Sequence, residues 1–131
     1  VIGLDTNVLV RYVMQDDPKQ SPKAIRLIES LTPETPGFVS LVALIEFVWV
    51  LGSCYELTRQ QIAEALDGLL RAKELTLDRA EQVVQAMRTF RTSSADFADC
   101  LIERTAYAAG CERTVTFDKA AASGAGMTLI A

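Results

Sequence analysis

The chain has 131 residues, 50% of them hydrophobic, with 13 Lys and Arg against 17 Asp and Glu, no histidine and a formal net charge of -4. That length is enough for one continuous core and too short for two, so a single domain over residues 1–131 is expected. The acidic balance gives no support to indiscriminate nucleic-acid binding, although the field at a site depends on local arrangement and not on the sum.

Val1-Ile2-Gly3-Leu4 is a short β-prone run that meets Asp5-Thr6-Asn7, good turn and capping residues, before Val8-Leu9-Val10. This reads as strand, sharp turn, helix. Asp16-Asp17-Pro18 breaks the pattern. Ser21 and Pro22 then supply an N-cap and a first-turn proline for a helix with Ala24, Ile25, Leu27, Ile28 and Leu31 on one face. Residues 32–37 form a loop, Phe38-Val39 a second short strand, and Ser40 the cap of a mostly buried helix running to about Gly52. Thr58 opens a helix through Leu70, and Leu75-Thr76-Leu77 is a third short strand before a cap at Asp78 and a helix over 79–90. Ser94 caps a helix from Ala95 to Ala109, closed by Gly110 in the C′ place. Strands at 115–117 and 127–130 follow. Strands alternating with helices predict an α/β layered fold with a mainly parallel sheet.

Cys54, Cys100 and Cys111 are odd in number and widely spaced among apolar residues, which suits small buried side chains in a reducing compartment better than a disulfide framework. There is no basic segment leading into an apolar one at the start, and the apolar run 38–51 is short and carries Glu46. Neither a signal peptide nor a membrane span is expected, and a cytoplasmic location is.

Five carboxylates stand out. Asp5 and Asp118 each directly follow a predicted strand, the place where polar function gathers in parallel sheets. Glu46 lies alone in its apolar run, where a buried carboxylate is expensive unless paired, hydrogen-bonded or bound to metal. Asp96 and Asp99, three residues apart, share a helical face. Taken singly, Asp5 and Asp118 are explained as caps and Glu46 by a core ion pair; together the acids argue for a functional cluster. With no histidine and no cysteine pair at ligand spacing, the simplest counter-charge is a hard divalent cation on oxygen ligands, Mg²⁺ or Mn²⁺, which points to phosphate-ester chemistry. Arg11, Lys19, Lys23 and Arg26 flank the first acid, and Arg88 and Arg91 precede Asp96; solvated helix faces are the plainer account of each group.

Leu4-Asp5-Thr6-Asn7, Ser40 with Glu46, Asp96-Phe97-Ala98-Asp99 with Leu101-Ile102, and Thr116-Phe117-Asp118 resemble, in order, the motifs of PIN-domain nucleases, most closely the VapC-type toxins of bacterial toxin-antitoxin pairs. The resemblance implies a three-layer α/β/α, Rossmann-like sandwich with a central parallel sheet. It also implies an acidic pocket for Mg²⁺ or Mn²⁺ and endonucleolytic hydrolysis of RNA by water, leaving 5′-phosphate and 3′-hydroxyl ends. Asp5, Glu46, Asp99 and Asp118 match the family's catalytic acids, and Asp96 is an additional ligand or a support through water. Asn7 would orient Asp5, Thr116 matches the hydroxyl residue two before the last acid, and Ser40 would line the pocket. Arg11, Lys19 or Lys23 would hold the RNA backbone. A small antitoxin and a homodimer are the partners the resemblance implies. Two other readings stay open: a PIN module that binds RNA or protein without cutting, and a Mg²⁺-binding, phosphorylatable receiver-like domain.

Overall fold

Ile2–Gly3 forms β1 and Thr6–Met14 forms α1, with Asp5 between them as N-cap in an extended conformation. The structure is a computed structural model and describes residues 1–130. Gln20–Glu29 forms α2, which begins one residue before the expected cap, Ser21. Asp17 does the capping instead. Its carboxylate accepts from the N–H groups of Lys19 at 2.9 Å and Gln20 at 2.7 Å, and Ser21 Oγ accepts from the Asp17 N–H at 3.3 Å. Ser21 is thereby drawn inside the first turn and buried.

Gly37–Val39 forms β2, and Leu41–Ser53 forms α3, capped as expected by Ser40, whose Oγ accepts from the Ala43 N–H at 3.1 Å. Arg59–Arg71 forms α4, opened by a reciprocal Thr58–Gln61 capping box. Leu75–Leu77 forms β3. The three strands make one parallel sheet in the order β1-β2-β3. Parallel neighbours need crossover connections, supplied here by α1 with α2 and by α3 with α4. This first unit, Val1–Asp78, is closed by Leu9, Ile28, Leu44, Phe47, Leu51 and Leu66, all fully buried.

A second unit begins at Arg79. Ala80–Thr92 forms α5, Phe97–Ala108 α6, Val115–Thr116 β4, Lys119–Gly124 α7 and Thr128–Leu129 β5. Helices α5 and α6 pack through Val83, Met87, Phe90, Phe97 and Leu101, and the Phe90 and Phe97 rings meet edge to face with centroids 5.9 Å apart. β4 and β5 pair parallel in a ladder of their own. Every ladder among the described residues is parallel, so the α/β expectation stands.

Three local expectations are corrected. α5 is preceded by Arg79 in the left-handed region, at φ 50°, and not capped by Asp78, whose N–H donates to the Val39 carbonyl. α6 starts at Phe97 with Asp96 as N-cap; Ser93 Oγ accepts from the Ala95 N–H and keeps 93–95 in a separate turn, so Ser94 is no cap. Of the cysteines, Cys100 is buried, whereas Cys54 and Cys111 are exposed because each stands where a helix ends at the surface. The α6 end itself is as expected: Gly110 at φ 95° donates to the Tyr107 carbonyl while Cys111 donates to that of Ala106. Among the described residues no helix is long and apolar enough to cross a membrane.

Candidate functional site

In the first unit Asp5 is held by one oxygen: Oδ1 accepts from the Thr6 N–H at 2.8 Å. The Thr6 hydroxyl, 40 residues before Glu46 in sequence, donates to Glu46 Oε1 at 3.0 Å. One buried threonine therefore fixes two of the predicted acids, and the packing of α1 against α3 allows it. Asp5, Thr6, Asn7, Glu46 and Trp49 line a common cavity of about 500 Å³.

Two expectations change here. Glu46 is exposed, not buried, because α3 turns Val42, Glu46 and Trp49 outward while Ala43, Leu44, Phe47 and Leu51 fill the core. The cost of a buried charge therefore does not bear on it. Asn7 lines the cavity, but the group that bonds the Asp5 carboxylate is the backbone N–H of Thr6. Ser40 is occupied as the cap of α3 and is not among the residues lining this cavity.

In the second unit β4 ends at Thr116, one residue short of the expected strand, so Phe117 stands between it and Asp118, which caps α7 by accepting from the Ala120 N–H at 2.9 Å; the Asp118 N–H donates to Thr116 Oγ1 at 3.0 Å. Thr116 thus shapes the turn that presents the last acid. Asp96 stands at the N-cap of α6 without making a side-chain cap bond, and Asp99 follows in the first turn. Burial, then the charge of Asp96, then that of Asp118, push the Asp99 carboxyl above the usual carboxylate range. Asp17, a true capping aspartate, goes the other way: the backbone N–H groups of Gln20 and Lys19 lower it. Burial and two neighbouring carboxylates thus all disfavour the charged form of Asp99.

The donors are carboxylate oxygens with no imidazole in the chain, a set suited to Mg²⁺ or Mn²⁺ and not to softer metals. Among the described residues, no three His, Cys, Asp or Glu side chains stand close enough together to hold an ion as they are. The fit is therefore one of chemistry and charge. Sequence reasoning missed Thr6 and Trp49. Thr6 sits inside the quoted Asp-Thr-Asn motif, but its partner is distant in sequence; Trp49 lies in an apolar run that carries no signal of which side chains face outward.

No curated protein matches the chain. The PIN-domain pattern matches residues 2–126 and so takes in residues of both units. On that match the chain belongs to the PIN-domain family, whose members are generally nucleases.

Proposed function

We propose that the protein is a metal-dependent endoribonuclease of the VapC type, the toxin of a toxin-antitoxin pair, working in the cytoplasm as a homodimer and silenced by a small antitoxin. Asp5, Glu46, Asp99 and Asp118 are its catalytic, metal-holding acids, with Asp96 in support. The observation that carries the reading is the pair Asp5 and Glu46, both bonded by Thr6 and lining one cavity. These carboxylates would hold a divalent ion, which would supply a more acidic water and offset charge on the phosphate. Asp5, Glu46 and Asp118 are each fixed through one oxygen, by Thr6 N–H, Thr6 hydroxyl and Ala120 N–H respectively, which leaves the second oxygen for a ligand. No side-chain nucleophile is required, and the membership of the PIN family sets the receiver-like alternative aside.

The test is cleavage of a panel of structured RNAs by purified protein with Mg²⁺, Mn²⁺ or EDTA, beside Asp5→Asn and Glu46→Gln variants. Cuts that need metal, leave 5′-phosphate ends and vanish in both variants support the proposal. Cutting that persists in both variants overturns the residue assignment; no cutting under any condition leaves a PIN module that binds without cleaving.

A further inference from the structure

Trp49 is the only tryptophan in the chain and is 64% exposed, an unusual position for a side chain that gains so much from burial. It lies three residues after Glu46 on α3 and lines the cavity that holds Asp5 and Glu46. A second cavity, of about 290 Å³, is lined by Asn7 and Arg11 from α1 and by Gln20 and Lys23 from α2. Asn7 belongs to both cavities, and Arg11 follows it by one turn on the same helix face.

Two cationic side chains, Arg11 and Lys23, line the second cavity. Arg11 is braced: Nε donates to Gln20 Oε1 at 2.7 Å, and Nη1 reaches the Tyr55 hydroxyl at 3.3 Å and Asp16 Oδ1 at 3.7 Å. Tyr55 in turn donates to Asp16 at 2.8 Å. A guanidinium has five N–H donors, so this bracing leaves further donors on the Nη2 side. Lys23 is exposed and has no ion-pair partner among the described residues.

We propose that these two cavities form one track for single-stranded RNA, in which Trp49 stacks a base beside Asp5 and Glu46 and the Arg11–Lys23 cavity seats a backbone phosphate of the same strand. The proposal rests on the nuclease reading and adds how the substrate is held. An aromatic face accepts any base, and flanking cations follow the backbone; that combination is how unpaired strands are held without a sequence code. A protein partner covering Val42 and Trp49 would account for the exposed indole, but not for cations gathered in the cavity that shares Asn7.

The sole tryptophan makes the test direct. An unpaired RNA oligonucleotide of about ten nucleotides is titrated into Asp118→Asn protein, which is expected not to cut it, in Mg²⁺ while tryptophan fluorescence is read. Quenching is expected to saturate, and labelled-RNA anisotropy is expected to give a Kd weakened roughly tenfold to a hundredfold in Trp49→Ala and little in Trp49→Phe. Lys23→Gln should reduce the slope of log Kd against log salt by about 0.7, while Lys73→Gln leaves it unchanged. In otherwise wild-type protein, Trp49→Ala should raise KM with kcat nearly constant. Wild-type protein that cuts RNA while neither Trp49 nor Lys23 variants alter affinity or KM would overturn the track and leave the nuclease standing. Trp49→Ala that changes the sedimenting species but not RNA affinity would assign Trp49 to a protein contact and also overturn it. Protein that neither binds nor cuts RNA would remove the nuclease reading and the track together.

Discussion

Thr6 shows how much a single residue can contribute without being an acid. Its hydroxyl and backbone N–H hold Glu46 and Asp5, so it is a positioning residue for both. Thr6→Val should weaken Mg²⁺-supported cleavage by roughly 10–100-fold, as loss of groups that orient metal ligands does, and Thr6→Ser should restore most of it. The Mg²⁺ concentration for half-maximal cleavage is the readout; an unchanged value in Thr6→Val would show that the bond is incidental. Asp99 leads to a prediction about pH. Its carboxyl is raised above 3.8 in the folded protein, so the native state binds more protons than the unfolded chain in the window just above that value. Stability from this group is therefore complete below the unfolded pKa and lost as pH rises through the folded one. At neutral pH the ionised Asp99 weakens the metal-free fold. Asp99→Asn should melt slightly higher than the parent at pH 7 in EDTA, by about 0.5 kcal/mol or less for a half-exposed group, and the advantage should vanish in acid. A lower melting temperature at pH 7 would contradict it. That Asp5 and Asp118 stand at helix starts was legible in the sequence because capping is a local pattern; the exposure of Glu46 was not, because the outward face of α3 depends on what packs against the other one.

At the scale of elements, the order of strands and helices was readable and the starts of helices were less so. Ser40 and Thr58 were read correctly because each cap acts within its own turn. Ser21, Asp78 and Ser94 failed because each helix starts elsewhere: Asp17 bonds the N–H groups that open α2, Arg79 in the left-handed region precedes α5, and Ser93 makes a separate turn before α6 starts after Asp96. Gly124 at the end of α7 gives an element-scale prediction. A Cβ there would stand 2.9 Å from Ala95 Cβ and 3.2 Å from the Ala95 backbone nitrogen, and neither atom belongs to a flexible side chain that can swing away. Gly124→Ala should therefore destabilise by about 1–3 kcal/mol through overpacking, measured by urea unfolding, despite the better helix propensity of alanine. A neutral or stabilising result would show that α7 can shift without cost.

For the whole molecule, the family match over residues 2–126 includes residues of both compact units, and we propose that the chain acts as one domain. Trp49 reports on the first unit alone, whereas far-ultraviolet circular dichroism reports on the helices of both. Under the proposal the two melting curves superimpose as one transition; separated midpoints would make the units independent. Metal should act at the same scale. Mg²⁺ at a hundred times its dissociation constant should stabilise the protein by about 2.7 kcal/mol by binding the native state alone, and EDTA should abolish both this gain and cleavage. Stability indifferent to Mg²⁺ would count against a metal held by these acids. The formal charge of -4 is no obstacle to an RNA substrate, because the field at a site depends on local arrangement, and Arg11 and Lys23 line one cavity.

The sequence by itself determined the alternating α/β order, the parallel character of the strands and the PIN resemblance. Each of these depends on periodicity, capping and residue type within short windows. Tertiary structure decided which side chains meet and which face outward. Thr6 joins Glu46 across 40 residues, Asp99 feels Asp118 from a different helix start, and Trp49 faces a cavity instead of a core. Such relations depend on helix rotation and packing, and the same local pattern of apolar and polar residues is compatible with more than one rotation.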